Sequence, residues 1–270
     1  MKKFENLLLI SDMDGTLIDE SWMISRENIQ AAKYFMENGG IFTYATGRQT
    51  PIARGIINQL TPNAPVICYN GAAIYDYSIE KFLWTSSIDS AAEIIIEDLL
   101  ENCPVTNIEI NTADGIYTLK DIDYTIPRYD RFTSFFTKTD SPKSIAHPWF
   151  KIVIVVDDNY MPDLRQYIQS RPYFENYQFS QSATFLYEIL NLNVNKGTAL
   201  PQLREILGNK YKIIAVGDNE NDIDLVKSAD VGFAVGDGSP LLLSQCNNLT
   251  VPLKEHVLVD IIDKLEKNLV

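Results

Sequence analysis

Histidine and cysteine are both scarce in this chain of 270 residues, with two of the first and three of the second. Cys68, Cys103 and Cys246 lie far apart with no CxxC spacing, which excludes a zinc cluster or a disulfide frame and reads as reduced thiols in a reducing compartment. His147, within "AHPWF", and His256 have no partner at ligand spacing and read as structural or surface residues. Long apolar runs are missing too. The stretch "MKKFENLLLIS" offers only four apolar residues in a row, too few for a signal peptide or a membrane span. A cytoplasmic protein with no membrane partner is therefore expected. Basic residues are few: 23 Lys and Arg against 36 Asp and Glu leave a formal charge of −13. Such a surface repels nucleic-acid phosphate and anionic lipid, so neither is expected as a partner. A small phosphorylated metabolite remains compatible, because one local cation can outweigh a diffuse field. Neither an internal repeat nor a low-complexity linker is visible, and the oligomeric state is not legible.

What is present is a core and a rhythm. Hydrophobic residues make up 46%, enough for a sizeable interior. "LLLIS" (7–11) reads as a buried strand. "SRENIQAAKYFMENGG" reads as a helix with Ser25 at its N-cap and Gly39–Gly40 at its end. "IFTYATG" (41–47) follows as a strand, "TPIARGIINQL" as a helix with Pro51 in its first turn, and "PVICYNGA" (65–72) as a third strand. Alternation of this kind means βαβ units and a parallel sheet. The rhythm then breaks. "AAIYDYSIEKFLWTSS" reads as a hairpin, 89–102 as a helix, 105–119 as two strands and 121–137 as a helix. Beyond these, 151–158 reads as a strand, 160–170 as a helix and 177–190 as strand. The βα rhythm returns after "NVNKGTAL", through "KIIAVGD", "NENDIDLVKSA" and "VGFAVG", to a C-terminal helix from about 254. The expected fold class is α/β, a Rossmann-like parallel-sheet core with helices on both faces, interrupted by an inserted α+β cap domain. The expected boundaries are 1–81 and 191–270 for the core and 82–190 for the cap.

In open α/β sheets ligands sit outside the carboxyl ends of the strands. Four such ends carry unusual residues: "DMDGT" (12–16), "ATGR" (45–48), "YNGA" (69–72) and "GDNEND" (217–222). Any one could be an ordinary loop, since Asp, Asn and Gly are common turn formers; four on one sheet are harder to dismiss. Asp12, Asp14 and Asp218 can converge there, and three gathered carboxylates require a cation. Hard oxygen donors without a nearby histidine or cysteine favour Mg²⁺. Lys196, read as the start of a helix, can reach the same mouth. Thr46 and Gly47 offer a hydroxyl and an amide at a helix start, suited to phosphate. Cations and amides facing a carboxylate suit phosphoryl transfer, and an aspartate can itself be the nucleophile.

The set "DMDGT", "ATGR", "NKGTAL" and "GDNEND", in this order, resembles the haloacid dehalogenase-like superfamily. The long insert between "YNGA" and Lys196 resembles the type IIB cap of its Cof-type phosphatases. The resemblance implies a phosphoric monoester hydrolase in which Asp12 is the nucleophile and Asp14 the general acid/base. It implies Mg²⁺ held by Asp12, Asp218 and the main-chain carbonyl of Asp14. The phosphate- and substrate-binding set it implies is Thr46, Gly47, Arg48, Asn70, Gly71, Lys196 and Asn221, with Asp222 supporting the loop. The stretch "NVN" before Lys196 departs from a more usual Gly-Val-Ser type of lead-in. The superfamily's dehalogenases lack the second aspartate of the first motif, so Asp14 argues against dehalogenation. The expected activity is Mg²⁺-dependent hydrolysis of small phosphorylated metabolites, sugar phosphates foremost, with a cap that closes over the site and excludes water. Two other readings stay open. One is a phosphotransferase or mutase with an organic acceptor, and the other is a non-catalytic metabolite-binding protein, against which the presence of Asp12, Asp14 and Lys196 weighs. In the expected cap, Arg128 and Arg131 are candidate substrate contacts, with a solvated helix face as the alternative.

Overall fold

The computed structural model describes residues 2–121 and 132–268. In chain order the first elements are β1 (Leu7–Ser11), α1 (Arg26–Glu37), β2 (Ile41–Tyr44), α2 (Thr50–Ile57), β3 (Val66–Cys68), β4 (Ala73–Asp76) and β5 (Lys81–Thr85). Then come α3 (Ala92–Asn102), β6 (Asn107–Thr112), β7 (Ile116–Thr118), β8 (Phe136–Lys138), β9 (Trp149–Val155), α4 (Met161–Gln169), β10 (Tyr177–Ala183) and β11 (Leu186–Asn191). The chain continues through α5 (Leu200–Ile206), β12 (Lys212–Gly217), α6 (Ile223–Ser228), β13 (Val231–Ala234), α7 (Pro240–Gln245), β14 (Asn248–Leu249) and α8 (Val257–Glu266). Two compact units result: Met1–Trp84 with Asn195–Val270, and Thr85–Val194. Among the described residues no helix is long and apolar enough to cross a membrane.

The first unit is built on a parallel sheet of order β14-β13-β12-β1-β2. β1 is central, with β12 on one side and β2 on the other, both parallel to it. A strand flanked on both edges and covered on both faces must be apolar throughout, which is why Leu8, Leu9 and Ile10 are wholly buried. Leu8, Ile10, Ile213 and Ala215 form one cluster with Leu200 and Leu203 of α5 and Leu225 of α6. Leu9 and Ile214 point to the other face by alternation and are equally buried. α1 and α8 pack together, with the Leu258 amide donating to Asn28 Oδ1 at 2.9 Å. Ser25 caps α1 by accepting from the Asn28 amide at 3.2 Å. A smaller sheet, β3-β4-β5, holds the hairpin in this unit, and Trp84 packs against the β1–β12 cluster.

The second unit has a six-stranded sheet of order β10-β11-β9-β6-β7-β8, antiparallel except for β7 with β8. Ile95, Ile96 and Leu99 of α3 and Leu164 and Ile168 of α4 pack against Ile108, Ile110, Ile152 and Ile154. The structure is thus a Rossmann-like core and a separate α+β unit.

Several elements differ from those the sequence predicts. The strand expected over 41–47 ends at Tyr44, and that over 65–72 is strand only at Val66–Cys68 before a 3₁₀ turn at Tyr69–Gly71. Asn70 lies in the left-handed region at φ 53°, which a continuing strand would not allow. The helix expected over 121–137 falls largely outside the described residues; its described end is a 3₁₀ turn at Thr133–Phe135 and β8. Arg128 and Arg131 also lie outside the described residues.

Gly71 shows how tightly these turns hold the sheet's carboxyl edge. It sits at φ +99°, and a Cβ there would lie 2.0 Å from the carbonyl oxygen of Asn195, next to Lys196. Gly71→Ala should therefore destabilise the protein by at least about 1–2 kcal/mol from backbone strain alone. Chemical denaturation reads this, and an unchanged midpoint would contradict the tight approach.

Candidate active site

β1 does not stop at Ser11 in its pairing. The Asp12 amide donates to the Val216 carbonyl at 3.0 Å, so the ladder with β12 fixes Asp12 at the sheet's edge. Asp12 is buried, with 5% of its surface exposed. The chain then turns back at once, with the Leu17 and Ile18 amides both donating to the Met13 carbonyl at 2.9 Å. Gly15, at φ +77°, lets this turn run against Asp218, since a Cβ there would lie 2.2 Å from Asp218 Oδ2. Thr16 Oγ1 donates to Asp218 Oδ1 at 3.0 Å. The first motif and the end of β12 are therefore locked together by a turn, a hydroxyl and a glycine.

Lys196 lies beneath them, 1% exposed. Its Nζ donates to Asp12 Oδ1 at 2.6 Å and to Asp222 Oδ1 at 2.7 Å. It stands in a turn rather than at the start of a helix, as α5 begins four residues later at Leu200. Asn195 holds that turn: its amide donates to Thr198 Oγ1, and its Oδ1 accepts from the Thr198 amide, each at 2.9 Å. This is what the "NVN" departure supplies locally. Asp222 works on both sides, because its Oδ2 accepts from the Asp218 and Asn219 amides at 3.1 Å. The bond from the Asn219 amide belongs to a capping box whose other half is the Asn219 side chain.

The other sites expected from the sequence divide into two groups. Thr46, Gly47, Asn70 and Asn221 are drawn together: the Asn70 amide donates to the Thr46 carbonyl at 3.0 Å, and Asn221 Nδ2 to Asn70 Oδ1 at 3.1 Å. A Cβ on Gly47 would lie 2.8 Å from Asn70 Oδ1. Thr46 Oγ1 accepts from the Arg48 amide at 3.1 Å. Thr46 and Gly47 precede α2 by a short loop instead of opening it, since the helix starts at Thr50. Asp14 stands apart, its side chain 55% exposed and gripped by the buried Arg48. Arg48 Nε donates to Asp14 Oδ2 at 2.6 Å, and Nη2 donates to Asp14 Oδ1.

Asp12, Asp218 and Asp222 each offer a carboxylate oxygen, all within 4.8 Å of one another, a group that could hold a metal ion. The donors are all hard oxygens, which fits a hard divalent cation. Asp222 is already committed to Lys196 and two amides, so Asp12 and Asp218 are its better ligands. Burial pushes the Asp12 carboxyl well up, opposed by Lys196 and reinforced by Asp222, Asp218 and Asp14. Burial and Asp222 push Asp218 up to about 6. Burial alone would lower Lys196, but Asp12 and Asp222 hold its ammonium above the ordinary lysine value. The site is short of positive charge.

Thr16, inside the first motif, ties it to the end of β12 through its hydroxyl, a contact that its sequence context does not mark. Asp222 carries a further signal: Asn219 and Asp222 have the spacing of a capping box just before a helix. Trp22, whose ring covers Arg48, carries no sequence signal.

A parallel sheet thus gathers the carboxylates of Asp12, Asp218 and Asp222 around one buried lysine at its carboxyl edge, as an α/β hydrolase core would. Residues 9–262 match the haloacid dehalogenase-like hydrolase family, and the chain belongs to it. It is 23% identical over 254 residues to a 5-amino-6-(5-phospho-D-ribitylamino)uracil phosphatase of Bacillus subtilis, covering 92% of this chain and 93% of that one. It is 29% identical over 251 residues to an HMP-PP phosphatase of Yersinia enterocolitica, covering 89% and 87%. The fold is similar to that of a haloacid dehalogenase-like hydrolase from Bacteroides thetaiotaomicron, with a TM-score of 0.83 at 21% identity, over 97% of this chain and 100% of that one.

The raised carboxyl of Asp218 has a consequence for stability. A carboxyl that binds its proton more tightly folded than unfolded favours the folded state most below its unfolded value of 3.8. That contribution is lost as pH rises from 3.8 to about 6. In chelator, the melting temperature should fall across this window, and Asp218→Asn should flatten the slope. An Asp218→Asn profile parallel to wild type would show that Asp218 is not held under charge stress.

Proposed function

We propose that this chain is a Mg²⁺-dependent phosphatase that hydrolyses small phosphorylated metabolites, sugar phosphates foremost, through a phosphorylated Asp12. The enzyme class is that of a phosphoric monoester hydrolase. The observation that carries the reading is the buried contact of Lys196 Nζ with Asp12 Oδ1 at 2.6 Å, beside the carboxylates of Asp218 and Asp222. Burial disfavours a charged Asp12, and only nearby positive charge keeps it an anion able to attack phosphorus. Lys196 supplies part of that charge. Mg²⁺, held by Asp12, Asp218 and the main-chain carbonyl of Asp14, would supply the rest and neutralise the phosphoryl oxygens.

In the first step a carboxylate oxygen of Asp12 bonds to phosphorus while the bond to the leaving oxygen breaks. Asp14 gives that oxygen its proton. In the second step Asp14 takes a proton from water, whose oxygen bonds to phosphorus as the Asp12–phosphorus bond breaks. Inorganic phosphate leaves and Asp12 is restored. Thr46, Gly47, Asn70 and Asn221 line the remaining strand ends and orient the phosphoryl group, with Lys196 offsetting its charge. The unit Thr85–Val194 carries none of the four motifs, so substrate ranking is assigned to it. The name of the Bacillus subtilis relative contains a phospho-D-ribityl group, which supports a phosphorylated sugar-like substrate. A reducing cytoplasm is the compartment that fits three free cysteines.

A panel of phosphorylated metabolites, assayed with and without Mg²⁺, tests this reading. Activity should require Mg²⁺ and vanish in Asp12→Asn. Full activity after exhaustive chelation would remove the metal from the scheme. Asp14→Asn should lose about 10²–10⁴-fold in kcat. Lys196→Met should lose roughly 10²–10³-fold, whereas Lys264→Met, on α8, should match wild type. Equal rates for the two lysine variants would displace Lys196 from the site.

A further inference from the structure

Arg48 is 8% exposed, so its guanidinium has left water and needs a counter-ion and acceptors inside the protein. Both oxygens of Asp14 meet it in the two-point fork geometry of an arginine–carboxylate pair. Such a grip fixes the plane of the carboxylate, which a single hydrogen bond or a lysine would not. The third guanidinium nitrogen, Nη1, is buried without a hydrogen-bond partner. The cation also lies against an aromatic face: Arg48 Cζ is 3.6 Å from the centroid of the Trp22 ring.

Trp22 is itself constrained. It sits at φ 62°, in the left-handed region that favours glycine. One side-chain amide straddles this strained turn: Gln59 Nε2 donates to the Trp22 carbonyl at 2.9 Å, and Gln59 Oε1 accepts from the Ile24 amide at 2.9 Å. Ile24 is buried, which anchors the far side of the turn. A strained backbone held in place beside a functional group is itself a pointer to a role there.

We propose that Arg48 is a positioning residue that holds the Asp14 carboxylate for proton transfer, and that Trp22, fixed by Gln59, holds Arg48. The proposal rests on the acid/base role assigned to Asp14 above. It gives Arg48 a different task from the phosphate binding expected from its motif, and the two tasks separate by experiment.

Proton donation matters for a poor leaving group and little for a good one. The kcat and KM of wild type and variants are therefore measured on a simple alkyl phosphate and on p-nitrophenyl phosphate. Arg48→Ala should lower kcat on the alkyl ester about 10²-fold and on the aryl ester far less, with KM little changed on either. Added guanidinium ion should restore part of the loss. Trp22→Ala should show the same selective loss at smaller size, and Trp22→Phe should recover most of it. Combining Arg48→Ala with Asp14→Asn should cost no more than Asp14→Asn alone. An equal loss on both esters with a raised KM would overturn the proposal in favour of phosphate binding. An additive double variant would overturn it as well. Should Arg48→Ala not fold, the Trp22 pair decides by the same criterion. A wild-type protein inactive on both esters with Mg²⁺ would instead overturn the phosphatase reading, and this proposal with it.

Discussion

One ammonium group, that of Lys196, stands against three carboxylates at the edge of the sheet, and the site depends on it. Taking a lysine and two aspartates out of water costs several kcal/mol per ion, which their mutual attraction offsets only with good geometry and further hydrogen bonds. Asp222 has both: Lys196 on one oxygen, two backbone amides on the other. Asp12 has Lys196 and a backbone ladder, yet its carboxyl is still pushed up. The site is therefore left short of positive charge, which a divalent cation on the carboxylates of Asp12 and Asp218 would offset.

The two aspartates of the first motif show how one strand end makes two environments. Asp12 is buried beside an ammonium, while Asp14, two residues on, is half-exposed beside a guanidinium. The tight turn through Gly15 separates them. Acid/base and nucleophilic roles can be divided between two carboxylates when their surroundings differ in this way. The difference in surroundings is made by backbone geometry, because the side chains are the same.

Much of the fold was legible in the sequence. The apolar runs of β1 and β12 end in polar residues because a strand covered on both faces can turn polar only where it leaves the sheet. The expectation that ligands sit at the carboxyl ends of the strands singled out the stretches that carry Asp12, Thr46, Asn70 and Asp218, and the family resemblance supplied the roles. The limits of the elements were less legible: β2 and β3 stop early because the chain must bend at Ala45–Arg48 and at Tyr69–Gly71 to bring Thr46 and Asn70 together. α7 and β14 escaped notice because six and two residues are too few to show a period. The covering of Arg48 by Trp22, and the hold of Gln59 on Trp22, join residues 26 and 37 positions apart. Neither contact leaves a periodic trace in the sequence.

The claim on which the account turns is that phosphorus passes through a covalent bond to Asp12. The stereochemical course at phosphorus tests it most directly, using a thiophosphate ester made chiral with oxygen isotopes and hydrolysed in labelled water. Two successive in-line displacements, one by Asp12 and one by water, predict net retention of configuration. Net inversion would mean a single direct attack by water, and would contradict the account.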